Sequence, residues 1–334
     1  MSSPSGRTRY VLSITGGGSK NLLSAVVLNA IQQHWDCLTK DLFDLIVGSG
    51  EGGVLALLAA SGIGTHLDMT SFFSQKNLRK MMDKGCLDHM MGEVQFDPVY
   101  DGKGKTSVLK RYLGDETLMS ELETQVAVPV YNISNAQPEI FTSYDQKSAK
   151  FPVWQVADAT TATVPYFPPV KIPLNGCCYL GGGFVANNPT MVAYTEARRL
   201  FGPDAPLRIL SLDAGYACVE YEQKTREMDD WGAVQWFCNG LLNIMVNAPG
   251  EIVMDQTQKI LSTEDMKGNR LLRLSTTVPY MHIYETASEK LQILRELGTE
   301  LFCDHQNDLI DFFDSRSSRC WGDPHHRFNP CSIK

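Results

Sequence analysis

The stretch Phe43–Ala60, FDLIVGSGEGGVLALLAA, joins two apolar runs through a six-residue turn in which four residues are glycine. The first run, Asp41–Val47, has the length and branched side chains of a buried strand. The second reads as a helix. Outward from this unit, Arg9–Ile14 (RYVLSI) is another short strand; it enters Thr15–Asn21 (TGGGSKN) and then the apolar-periodic Leu22–Trp35. Two strand–loop–helix units so close together predict parallel strands in an α/β layer architecture. Further strands are expected at Thr124–Ile133, Glu139–Tyr144 and Leu207–Asp213. Helical spacing runs through 106–115, 190–202, 231–248 and 285–313.

Bulk properties narrow the function classes. The 334-residue chain is 43% apolar and 20% charged, ordinary for a globular protein. A net charge of −8, without a dense Lys/Arg cluster, argues against nucleic acid as a partner. The longest apolar run, Val54–Gly64, is far shorter than the ~20 residues of a transmembrane helix. The start, MSSPSGRTRY, lacks the apolar core of an export signal, and nine cysteines follow no repeating spacing. Reduced thiols and an intracellular, cytoplasmic location are therefore expected. The domain plan is a polar extension over 1–8, one domain over 9–314 and a tail over 315–334.

Each glycine turn has a chemical and a structural reading. Gly16, Gly17 and Gly18 open a helix, where outward-pointing amides can hold an anion, although glycines there also serve packing. The Gly48–Gly52 turn has both flanking glycines of a nucleophile elbow, G-x-S-x-G, but its apex is Gly50. Ser49 is one residue early, so it reads as a turn or cap hydroxyl. Glu51 falls in the first helical turn, which favours a carboxylate. It reads most simply as a solvated helix-start residue; pointed inward, it would put negative charge beside the glycine-loop amides.

With these loops in view, the chain resembles the patatin-like phospholipases, specifically their plant patatin branch. Val11–Asn21 (VLSITGGGSKN) looks like the family's VLSIDGGGxRG, and FDLIVGSGEGG like FDxIxGTSTGG. Tyr179–Pro189 (YLGGGFVANNP) is similar to xxDGGxxANNP. VYDGKG (Val99–Gly104), PEIFTSYD (Pro138–Asp145), ATTATVPYFPPV (Ala159–Val170) and WGAVQW (Trp231–Trp236) follow in family order. The resemblance implies a three-layer α/β/α fold with a mainly parallel central sheet. It also implies acyl-ester hydrolysis by a serine–aspartate pair, with the glycine loop holding the oxyanion.

Transferred position by position, the serine falls on Gly50 and the aspartate on Gly181. Thr15, Lys20 and Asn21 replace the loop's aspartate, arginine and last glycine, and Asp213-Ala214 stands where a Gly-Thr turn is usual. The resemblance thus leaves Gly16, Gly17, Gly18 and Lys20 as an anion-binding set, Gly48 and Gly52 as elbow flanks, and no catalytic pair. A pseudoenzyme is expected, with no cofactor, serving as a structural or interaction subunit beside protein partners in a larger complex. The alternatives are a non-hydrolysing lipid or acyl-chain binder, and an acyl hydrolase with relocated residues. Cys177, Cys178, His34, His66 and His89 are the residues available for relocation. Cys320, His325, His326 and Cys331 have metal-binding side chains in an unsuitable spacing, so no metal is expected. Trp231, Trp236 and Phe237 read as core, with a lipid-facing surface as the alternative.

Overall fold

The computed structural model describes residues 7–62, 68–83, 90–91, 94–95, 98–217, 228–264 and 268–313. Its centre is an eight-stranded sheet. The strands are β1 (Arg9–Ile14), β2 (Leu45–Gly48), β3 (Gln125–Asn132), β4 (Gln137–Thr142), β5 (Val170–Lys171), β6 (Cys178–Leu180), β7 (Leu207–Leu212) and β8 (Arg270–Leu274). They are ordered β8-β7-β1-β2-β3-β6-β5, and β4 also pairs with β3. The first five are mutually parallel; β4, β5 and β6 form an antiparallel margin.

Alternation along β1 decides the layers. Tyr10, Leu12 and Ile14 belong to a large core cluster with α1 (Asn21–Trp35), α2 (Glu51–Ala60) and α7 (Ser288–Asp304). Val11 faces the other way, into a smaller cluster with Ala193 and Ala197 of α5 (Thr190–Phe201) and Leu261 of α6 (Leu241–Thr263). A strand buried on both faces needs apolar side chains at successive positions, as RYVLSI supplies. Helices on both faces make the expected α/β/α layers. Three further helices bear on the site or on the chain's end: α3 (Lys103–Leu113), α4 (Val153–Thr160) and α8 (Gln306–Phe313).

Several boundaries differ from the sequence reading. The strand expected from Asp41 starts at Leu45, and Thr39–Leu42 is a helical turn. Asp44 explains the late start, because its carboxylate accepts from the Tyr10 amide at 2.9 Å and is tied up outside the ladder. The helix expected over 231–248 is two helices, separated at Gly240, whose φ of 100° lies outside the helical region. Cys177 and Cys178 carry free thiols, but Cys303 is disulfide-bonded, contrary to the expectation of reduced cysteines. The tail positions Cys320, His325, His326 and Cys331 lie outside the described residues, as do His66 and His89.

Candidate functional site

β1 and β2 are parallel neighbours, in register from Val11↔Leu45 to Ile14↔Gly48, so both glycine loops leave the same edge of the sheet. The Ser49 amide donates to the Ile14 carbonyl at 3.1 Å and holds the second loop against the first. Between β2 and α2, Gly50 takes φ 55° and ψ −128°, a bend closed to most side-chain-bearing residues. A Cβ on Gly48 would lie 2.1 Å from the Gly52 carbonyl oxygen, and one on Gly52 would lie 2.5 Å from that of Ile14. Contacts this close explain both flanking glycines. They press strand, turn and helix together and leave residue 50 at the outside of the bend.

A Cβ at residue 50 would have room: its nearest neighbours are the Gly16 Cα at 3.8 Å and the Thr160 carbonyl oxygen at 3.9 Å. The Gly50 amide donates to Thr160 Oγ1 at 3.1 Å, and that hydroxyl donates to the Pro129 carbonyl at 3.0 Å. Gly181 borders the same place. A Cβ there would sit 3.0 Å from the Thr160 carbonyl oxygen and 3.1 Å from Thr163 Oγ1. Residues 50 and 181, far apart in sequence, thus converge on the end of α4. Both are buried. Ser49 is fully buried, and its hydroxyl makes no hydrogen bond, so it caps nothing.

Three amides of the first loop, those of Gly16, Gly18 and Ser19, are engaged within the chain. Gly16 N donates to the Asn187 carbonyl at 2.9 Å, and Asn187 Nδ2 returns a bond to the Gly16 carbonyl at 3.1 Å. Ser19 N donates to the Ile283 carbonyl at 2.8 Å. Gly18 N donates to Glu51 Oε2 at 3.2 Å. Gly18 must be glycine, since its φ is 63° and a Cβ would come within 2.1 Å of the Ile283 oxygen. Lys20 turns its ammonium onto the Gly215 carbonyl at 3.0 Å. Burial lowers its pKa, and the nearby Asp213 charge opposes that shift.

Glu51 corrects the sequence reading. It is not solvated at the helix start but only 6% exposed. Burial pushes its carboxyl above the usual range, opposed by its own amide, by the Lys105 charge and by the Gly18 amide. Lys105 gave no signal in the sequence, because a lysine in a helix is ordinarily at the surface. Here its Nζ is 3.0 Å from Asp158 Oδ1 and donates to the Asp158 carbonyl and to Thr161 Oγ1, each at 3.1 Å. It also lies 4.4 Å from the Phe167 ring centre. Tyr284, likewise unread in the sequence, packs edge-on against Tyr166 and Phe167 at 5.2 Å and Tyr100 at 6.0 Å. A cleft of about 620 Å³ opens on the α3 side of the Lys105–Asp158 pair, beside Pro168 and Val170, and neither glycine loop lines it.

Chemically, these loops supply donors and a buried carboxylate but no hydroxyl, thiol or imidazole at residue 50 or 181. His34 is against Trp35 and Phe302 near the far end of α1, about 20 Å along the helix from the glycine loop. Among the described residues no group of three or more His, Cys, Asp and Glu side chains is placed to hold a metal ion.

A profile of the patatin-like phospholipase family matches residues 12–194, which carry both loops, Thr160 and Gly181. The chain belongs to this family. Patatin-like protein 4 of Arabidopsis thaliana is 26% identical over 87% of this chain and 82% of its own length. The cGAMP-activated phospholipase of Vibrio cholerae is 25% identical over 91% of this chain and 94% of its own. A third patatin-like relative from Arabidopsis thaliana, named "Probable inactive patatin-like protein 9", is 29% identical over 58% of this chain and 55% of its own.

Proposed function

We infer that this chain is a non-catalytic patatin-like protein that serves as a structural or interaction subunit of a larger assembly. One observation carries the reading: the elbow keeps its bend and its glycine loop, while residues 50 and 181, which meet beside Thr160, are both glycine. Attack on an ester needs an oxygen or sulfur at the apex and a base to take its proton, and C–H bonds offer neither. A relative named as inactive is compatible with this reading; the phospholipase relative is the case against which it must be tested. What remains useful once chemistry is gone is a rigid surface.

The test begins with the unmodified protein and short- and long-chain p-nitrophenyl esters, for which no turnover above buffer is expected. Turnover abolished by a single substitution at Cys177, Cys178 or another side chain would sink the non-catalytic reading. Gly50→Ser with Gly181→Asp tests the geometry. Serine has room at residue 50, but the aspartate is crowded by the Thr160 carbonyl and Thr163, so restored turnover is expected to be weak. Recovery of the endogenous chain at fixed stoichiometry in a complex well above 37.2 kDa is the expected signature of the subunit role. Recovery as a free monomer would count against it.

A further inference from the structure

Among the described residues, the carboxylate of Glu51 is the one charged group that accepts from an amide of the glycine loop. Its position is fixed from three directions. α2 starts at residue 51 directly after the Gly50 bend, so the side chain leaves the first helical turn beside the loop. Its Oε2 receives the Gly18 N–H at 3.2 Å, and its residue is 6% exposed. On the other side, the Ile283 carbonyl takes the Ser19 amide at 2.8 Å, so the loop is clamped between Glu51 and the segment leading into Tyr284.

A buried carboxylate without a donor would be costly, and this one has the donor that an oxyanion would otherwise use. We propose that Glu51 is a built-in occupant of the glycine loop: its carboxylate holds the Gly18 amide in place of an incoming carbonyl or carboxylate oxygen and so excludes acyl ligands from the loop. This deepens the non-catalytic reading and rests on it, since a chain that turned over esters here would need the amide free. It also chooses between the subunit and the acyl-binding alternative.

The experiment titrates hexanoate, a small acyl anion, into the full chain labelled with ¹⁵N and follows the Gly18 amide. In the unmodified protein no saturable shift is expected. Glu51→Thr, which puts the resembling family's residue at this position, should produce a saturable Gly18 shift. Its affinity should exceed that of the unmodified protein by at least about tenfold, the change associated with one charge-assisted hydrogen bond. Glu51→Gln keeps the length and an acceptor oxygen, and should stay closed.

Saturable binding by the unmodified protein at Gly18 would overturn the proposal. So would a cooperatively folding Glu51→Thr variant whose Gly18 amide ignores hexanoate. If Glu51→Thr does not fold, the unmodified protein and Glu51→Gln still decide, because binding by either contradicts a closed loop. Ester turnover by unmodified protein whose Gly18 amide is unmoved by hexanoate would fell the non-catalytic reading while leaving the Glu51 contact standing.

Discussion

At the scale of single residues, Glu51 links the site to the stability of the fold. Burial raises its folded-state pKa above the unfolded value, so folding favours the protonated form. Its contribution to stability is therefore fully present below the ordinary carboxylate range and is lost as pH rises through the raised value. Glu51→Gln removes that titration. Urea midpoints measured from pH 4 to pH 8 should fall with pH in the unmodified chain and fall less in Glu51→Gln, with the variant ahead at neutral pH. Equal slopes would show that the Gly18 amide and Lys105 already offset the cost of burying the charge. The neighbouring Tyr284 hydroxyl is pushed well above the ordinary tyrosine range, first by burial and then by the Glu51 charge, so it stays protonated throughout that window.

At the scale of elements, the sequence was most informative where backbone geometry leaves a residue no choice. The strand over Arg9–Ile14 has the expected limits, and the glycines flanking residue 50 mark the elbow because any Cβ at 48 or 52 would strike backbone. The contacts made across elements were not legible. The Arg270–Leu274 strand went unread because its arginines at both Arg270 and Arg273 break the apolar pattern; Arg273 instead spans Asp213 at 2.9 Å and Glu251 at 2.8 Å. Lys105 was invisible for the same reason: nothing local tells a lysine that binds Asp158 in the interior from one in solvent. That pair ties α3 to α4, the helix whose Thr160 supports residue 50. Lys105→Met should cost about 3–5 kcal/mol by leaving the buried Asp158 with the Thr106 hydroxyl at 2.7 Å but without its counter-charge, and Lys105→Met with Asp158→Leu should recover much of it. Chemical denaturation of the two variants checks this; a single variant within about 1 kcal/mol of the unmodified chain would mean that water reaches the aspartate.

On the scale of the whole molecule, the two clusters that Tyr10 and Val11 face on opposite sides of β1 are unequal, and the difference leaves α6 thinly covered. Of its 23 residues, only Thr257 and Leu261 are buried, while Met245 is 63% and Ile252 60% exposed. The preceding Trp231 and Trp236, expected in the core, pack edge-on at 5.2 Å and are half-buried, while the Phe237 side chain lies outside what the structure describes. Met245→Gln with Ile252→Gln should change the stability of the isolated chain by less than about 0.5 kcal/mol. A much larger loss on denaturation would show that this face is covered in solution. Among the described residues no helix is long and apolar enough to cross a membrane.

The bend at residue 50 carries a lesson about inference from shape. Crowding at residues 48 and 52 and the Thr160 hydroxyl hold it, with no contribution from a reactive group at the apex. A backbone trace alone would therefore not reveal that residue 50 is glycine, since every curve in the elbow is present. The information lies in the atoms at residues 50 and 181, where this chain bears a hydrogen and a serine–aspartate pair would bear oxygens.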